Sequence, residues 1–210
     1  MDVHPPHGPI HSVRDFMVHL LAITIGLLIA LGLESTAEWV HHRHLARNAR
    51  QNIVEEIRAN RQDIARQLNA LPAERRHLDE LLILVDATQK GRPYQPLGDF
   101  MWTGVLLRDS AWNAASSTGA VAFMQYDEVK AYAQLYAVQK LSGSLMQRDL
   151  ELRHEMNVHL ARMSSGDKLS DAEFEKTKHT IVSTELTISE FNEIDGMLND
   201  FYNKLLSEQK

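Results

Sequence analysis

FMVHLLAITIGLLIALGL, residues 16–33, is the stretch that decides the fold. Within these eighteen residues only His19 is ionisable and only Thr24 is otherwise polar. As a helix the stretch would be about 27 Å long, which matches the hydrocarbon core of a bilayer. We therefore predict a single transmembrane helix over residues 16–33, preceded by an N-terminal tail over residues 1–15.

Two other readings of the apolar stretch are less favoured. A signal peptide has a shorter apolar core, a more basic start and a small-residue cleavage site. Here Arg14 is the only Lys or Arg before the stretch, and the residues that follow, 34–38, make a poor cleavage site and continue as helix. A buried helix of a soluble protein is disfavoured because so long an apolar stretch stands out on a mostly polar chain.

One side of the predicted membrane helix carries small residues. Ala22, Gly26 and Ala30 recur every four residues, and His19 falls on the same side. Small residues at this spacing let two helices approach closely in lipid, so the pattern predicts docking of another transmembrane helix, although Gly and Ala are common in membrane helices generally. His19 either contacts the docked partner or, being near the helix end, reaches the membrane surface.

The residues just beyond the apolar stretch suit a membrane interface. Trp39 is placed where an amphipathic ring meets lipid headgroups, and His41, His42 and Arg43 follow it. Glu38 and His42 are four residues apart and so could share a metal ion, but no second Glu-x-x-His set completes a bundle metal site. We predict headgroup contacts here, with no metal and no cofactor.

The sequence ITIGLLIALGLE, followed by Glu-Trp and a His/Arg cluster, resembles a group of bacterial single-pass membrane proteins of unassigned function. The later segment AWNAASSTGAVAFM is also similar to that group. The resemblance covers about half of the chain. It implies a bacterial inner-membrane protein in which a helical domain follows the membrane helix, and it assigns no catalytic residue.

Composition narrows the function classes. The chain has 210 residues, enough for one domain and an anchor, and a formal net charge of −6, which does not indicate nucleic-acid binding. Without cysteine, the chain has no disulfides and no thiolate chemistry. It also lacks a phosphate-binding loop, a nucleophile elbow and an HExxH motif, so we expect no enzymatic activity.

Basic residues give the membrane orientation. Residues 1–15 contain one Lys or Arg, whereas the twenty residues after the apolar stretch contain Arg43, Arg47 and Arg50. The positive-inside rule then places the C-terminal domain in the cytoplasm. The difference is small, and a periplasmic domain with the short tail inside is the alternative.

The remainder, residues 34–210, reads as a helical domain. Residues 34–71 contain neither Gly nor Pro and continue the membrane helix with an apolar seam that Asn60 interrupts. Pro72 suits the first turn of a new helix over residues 73–89. Residues 90–104 then form a loop that we expect to be ordered, because Tyr94, Phe100 and Trp102 favour burial.

Three further helices are predicted after the loop. A short helix covers about residues 110–117, and Asp127 caps the next, which ends near Met163. Ser170 and Glu173 form a capping box before the last helix. The core positions predicted for that helix are Phe174, Thr177, Ile181, Thr184, Ile188, Phe191, Asp195, Leu198, Tyr202 and Leu205. The sequence thus predicts an all-α protein in which one transmembrane helix continues into an antiparallel bundle of about four helices.

These features favour a non-catalytic accessory or scaffolding subunit of a larger bacterial membrane complex, such as a respiratory or photosynthetic complex. Its partners would be other membrane-protein subunits and the lipid bilayer. Two alternatives remain: a self-assembling homo-oligomeric structural protein, and a single-pass sensor whose helical bundle binds a ligand.

Overall fold

The computed structural model describes residues 13–93 and 101–207, and all regular secondary structure in these residues is helical. The long helices are α1 (Val13–Gln89), α3 (Tyr126–Ser164) and α4 (Asp171–Ser207). Between α1 and α3 lie a short helix α2 (Ser110–Ser117) and a 3₁₀ turn, Ala120–Phe123. The prediction of an all-α chain with one long N-terminal apolar helix is confirmed. Residues 1–12 of the predicted tail and residues 94–100 of the predicted loop lie outside the described residues.

Helix α1 joins the apolar segment to the helical domain without interruption. It contains 77 residues, which corresponds to a length of about 115 Å. It begins at Val13, inside the predicted tail, and it passes through Pro72, where we predicted a new helix to start. That prediction is wrong, since α1 is continuous through Pro72. Leu71 and Leu78, on either side of the proline, are both buried in one apolar cluster, and this packing holds the helix together there.

Helix α4 packs against both α1 and α3. Along α1, Gln89 bonds to Asp171 near one end of the contact, and Arg61 bonds to Asn203 near the other. Along α3, His159 contacts Thr177 and Ser142 contacts Asp195. Two apolar clusters fill the space between the helices, one around Ile57, Leu135 and Leu198 and one around Leu78, Met156 and Ile181.

The sequence pattern of α4 is confirmed in detail. All ten predicted core positions are buried, and five of them are completely inaccessible to solvent: Thr177, Thr184, Asp195, Leu198 and Tyr202. The predicted capping box is also present, because the Ser170 backbone N–H donates to the Glu173 carboxylate and the Glu173 N–H donates to Ser170 Oγ. The hydrogen bond from the Ser170 backbone, the Arg162 side chain and the Ser170 hydroxyl together lower the pKa of Glu173 to about 2.

Of the other helices, α2 starts where it was predicted to start, whereas α3 starts earlier in the chain. Helix α2 occupies the predicted residues 110–117, and the chain turns after it at Gly119, which has the positive φ of 75° that glycine tolerates best. Helix α3 begins at Tyr126, so its N-cap is Gln125 and not Asp127. Asp127 lies in the first turn of α3, where its negative charge is attracted to the positive end of the helix dipole.

Candidate interface sites

The apolar segment of α1 is exposed along its whole length. One helix among the described residues, α1, is long and apolar enough to cross a membrane, and its most apolar window has no buried residue. The two polar side chains are satisfied within the helix, since Thr24 Oγ1 donates to Leu20 O over 2.8 Å and His19 Nδ1 lies 2.9 Å from Asp15 O. The surface left to the surroundings is therefore almost purely hydrocarbon.

The four residues predicted to dock a second helix lie on this exposed segment. His19, Ala22, Gly26 and Ala30 are all exposed, and a Cβ placed on Gly26 would meet no atom within 4 Å. The small-residue stripe is therefore unoccupied by the described residues of its own chain, and helix docking stays a prediction.

The predicted interface residues lie at the end of the helical domain nearest to the apolar segment. Trp39 is 59% exposed, and the Arg43 guanidinium lies over its ring, 5.2 Å from the ring centre. His41 is exposed, whereas the His42 ring stacks on Phe123 with a centroid separation of 3.8 Å and an angle of 10°. Phe123 belongs to the 3₁₀ turn, so a segment distant in sequence joins this end of the domain.

A groove of about 720 Å³ opens between α1 and the 3₁₀ turn at this end. Its lining includes Trp39, His42, Arg43, Arg47, Arg50 and Phe123, and it contains no carboxylate. Arg50 makes two hydrogen bonds to Glu128 near the start of α3, of 2.5 and 2.7 Å. Neither Arg43 nor Arg47 pairs with a carboxylate of the described residues. We call this groove the arginine groove.

Residues between Trp102 and Phe123 run along the cleft between α1 and α3, from the level of Glu74 and Arg153 toward the arginine groove. Trp102 lies against Arg153, and Arg108 lies between α1 and α3. Phe123 ends the path at His42. We call residues 102–123 the cleft segment, and its packing between two long helices was not predicted from sequence.

Buried polar side chains of α1 hold the cleft segment in place. Asn60, completely buried, accepts a hydrogen bond from the Arg108 N–H over 2.9 Å and donates one to the Arg108 carbonyl over 2.7 Å. Gln139 of α3 donates to the same carbonyl and accepts a hydrogen bond from the Tyr202 hydroxyl over 2.9 Å. Burial raises the pKa of Tyr202, which keeps its phenol protonated as a donor. Asn60 thus clamps the backbone of the cleft segment, although in the sequence it interrupts an apolar seam.

A second polar cluster lies deeper in the domain. The Arg153 guanidinium forms an ion pair with Glu74 of α1 and donates from Nε to Asp149 Oδ2 over 2.6 Å. All three side chains are at least nine-tenths buried. The Trp102 ring covers the guanidinium, with 5.4 Å between the guanidinium carbon and the ring centre. Charges so removed from water are stable only when they are paired, so the cluster fixes how α1, α3 and the cleft segment meet.

Asp195 is a buried carboxylate with no cationic partner among the described residues. It is completely inaccessible to solvent, and Ser142 donates a hydrogen bond to its Oδ1 over 2.9 Å. Its Oδ2 has no hydrogen-bond partner. Burial raises the pKa of Asp195 to about 6, although the hydrogen bond from Ser142 acts in the opposite direction.

Among the described residues, no group of three or more His, Asp or Glu side chains is placed to hold a metal ion. Comparison with protein-family models, curated proteins and solved structures finds no match to this chain. The exposed apolar segment, the arginine groove and the continuity of α1 between them and the core are the features of the described residues that bear on function.

Proposed function

We propose that this protein is a single-pass bacterial inner-membrane protein that serves as an accessory or scaffolding subunit of a larger membrane complex. The observation that carries the proposal is the apolar segment of α1, which is long enough to cross a bilayer and is covered by none of the described residues. Its host complex would contain other membrane-protein subunits, which the small-residue stripe contacts within the bilayer.

The continuity of α1 supports a scaffolding role. The helix that carries the exposed stripe also supplies Ile53, Ile57 and Ile64 to the core of the domain. A partner that docks on the stripe would therefore be held at a fixed distance and rotation from the helical domain. Such a rigid connection suits a subunit that positions other proteins.

The domain is proposed to be an antiparallel bundle on the cytoplasmic side. The hydrogen bonds along α4 support this arrangement, because paired residue numbers rise on α1 or α3 as they fall on α4. The proposed cytoplasmic location is supported by Arg43, Arg47 and Arg50, which lie directly after the apolar segment, and by the single basic residue before it.

A homo-oligomer that assembles through the same stripe is the second candidate. It draws on the same observation, since two copies of Ala22, Gly26 and Ala30 could pack against each other as well as against a different helix. The two candidates differ in what the stripe contacts, and one set of variants tests both.

The test compares Gly26→Ile with Gly32→Ile in the full chain. Both glycines are exposed and both leave open space for a Cβ, but at 100° per residue Gly32 lies about 120° around the helix from Gly26. For each variant and for the wild type, two copies with different tags would be co-expressed. The protein would then be extracted in mild detergent and its size measured. Crosslinking within the membrane would identify proteins next to residue 22.

An accessory subunit is expected to crosslink to a stoichiometric larger membrane protein, and Gly26→Ile but not Gly32→Ile should abolish that crosslink. A homo-oligomer is expected to show co-purification of the two tags with the same sensitivity. If both variants behave like wild type in both assays, the stripe is not a docking surface and the proposal fails.

A further inference from the structure

We propose that the arginine groove binds the phosphate group of an anionic membrane lipid. The proposal rests on the proposed membrane insertion, because only then does the groove face a lipid surface. It adds a ligand site at one end of the domain, separate from the small-residue stripe within the bilayer.

The arginine groove is positively charged. The whole chain has a formal net charge of −6, yet the lining of this groove includes three arginines and no carboxylate. Arg50 is neutralised by Glu128, whereas Arg43 and Arg47 pair with no described carboxylate. These two guanidinium groups without a carboxylate partner are four residues apart on one helix and so share a face, which allows both to reach one phosphate.

The arginine groove lies close to the end of the apolar segment. Trp39 is six residues beyond the apolar segment, or about 9 Å along the helix. The Arg43 guanidinium lies over the Trp39 ring, so its charge is carried back toward the apolar segment by one helical turn. Headgroups occupy roughly 5–7 Å on each side of the hydrocarbon core, so at about 9 Å the Arg43 guanidinium lies at their outer edge, and tilt of the helix brings it inward. The cationic end of the groove thus adjoins the headgroup layer.

The groove is also built from two separate elements that are fixed to each other. Phe123 on the 3₁₀ turn lines the groove together with Trp39 and stacks on His42. The two hydrogen bonds between Arg50 and Glu128 hold the start of α3 against α1 directly above. The amphipathic ring of Trp39 is of the type that favours the interface between lipid and water, so this side of the groove suits contact with a lipid.

The experiment uses the full chain purified in mild detergent and native mass spectrometry with an equimolar mixture of phosphatidylglycerol and phosphatidylcholine. The test variant is Arg43→Gln/Arg47→Gln. The matched control is Arg58→Gln/Arg76→Gln, which removes the same charge from exposed positions of α1 that also lack a described carboxylate partner. Alkaline carbonate extraction of membranes is done first, and inorganic phosphate is added in a parallel titration.

The wild type and the control should retain phosphatidylglycerol preferentially, and the test variant should lose that preference. Each arginine is expected to contribute about fivefold to affinity. Equal retention of both lipids by wild type, or an unchanged preference in the test variant, would overturn the proposal. Displacement of phosphatidylglycerol by millimolar inorganic phosphate would instead identify a soluble anion as the ligand and would also overturn it.

The carbonate step separates this proposal from the proposed function. If carbonate releases the chain from the membrane, both fail together. If the chain stays in the membrane and shows no lipid preference, the lipid site fails while the scaffolding role stands.

Discussion

The phenol of Tyr136 on α3 donates a hydrogen bond of 2.7 Å to the buried carboxylate of Glu56 on α1. The other oxygen of Glu56 accepts two further hydrogen bonds of 2.9 Å, from Ser110 Oγ and from the Ala111 N–H. Helix α2 has no side-chain hydrogen bond from its own N-cap residue, so Glu56 performs that function from another helix. One carboxylate therefore joins α1, α2 and α3.

We expect Glu56→Gln to lower the free energy of unfolding of the full chain by about 1–3 kcal/mol. A glutamine presents an NH₂ group where Glu56 accepts hydrogen bonds on both oxygens, so at least one buried donor loses its acceptor. Urea unfolding in mild detergent would measure the change. Glu55→Gln is the control, because the neighbouring Glu55 is exposed and its substitution should alter stability by less than about 0.5 kcal/mol. Equal effects of the two substitutions would contradict the assigned role of Glu56.

Arg153→Leu is expected to destabilise the protein by about 3–5 kcal/mol, because it leaves Glu74 and Asp149 buried without their cation. The double variant Arg153→Leu/Glu74→Leu should recover part of the loss, since it removes one of the uncompensated charges. Arg148→Leu provides the comparison on the same helix. Arg148 pairs with Glu190 over 3.6 Å with both side chains about half exposed, and such pairs contribute about 1 kcal/mol or less. A cost for Arg153→Leu as small as that for Arg148→Leu would show that the buried cluster does not hold the helices together.

The periodic features of this fold were predictable from sequence. The polar contacts between residues distant in sequence were not. The core positions of α4 repeat along the chain, so Phe174 and Leu198 could be assigned to the core from spacing alone. Asn60 shows the limit of this approach. Its partner Arg108 is 48 residues away and is bound through backbone atoms, which no side-chain pattern records. Asn60 therefore looked like a defect in an apolar seam.

One wall residue of the arginine groove, Phe123, was not predictable from sequence for the same physical reason. The spacing of Trp39 and Arg43 after the apolar stretch predicted a membrane interface on α1. Phe123 reaches that interface from a turn about eighty residues later in the chain. Only the path of the cleft segment between α1 and α3 brings Phe123 there, and that path depends on the buried contacts of Glu56 and Asn60.

Pro72 gives a prediction in the stabilising direction. A proline inside a helix lacks the N–H that would bond to the carbonyl of residue 68, and this costs about 3 kcal/mol. Pro72→Ala restores the donor and gives up about 1 kcal/mol of reduced chain entropy in the unfolded state. We expect a net gain of about 2 kcal/mol in the free energy of unfolding, measured by urea titration. A loss of stability would mean instead that α1 needs its proline geometry to follow α4.

Asp195 makes stability depend on pH in a direction opposite to most carboxylates. Its pKa in the folded protein is about 6, whereas an aspartate in an unfolded chain titrates near about 4. Between these values the unfolded chain has released its proton and the folded protein has not. The contribution of Asp195 to the free energy of unfolding is therefore fully present below about pH 4. It is lost as the pH rises toward about 6.

Asp195→Asn should remove this pH dependence, because asparagine does not ionise and its carbonyl oxygen can still accept the hydrogen bond from Ser142. The difference in unfolding free energy between the variant and the wild type is expected to grow by about 2–3 kcal/mol from pH 4 to pH 7, in favour of the variant. Asp200→Asn, at an exposed position of the same helix, should show no such trend. A difference that stays constant across this pH range would mean that Asp195 is already ionised in the folded protein, and a buried cation would then have to be sought beside it.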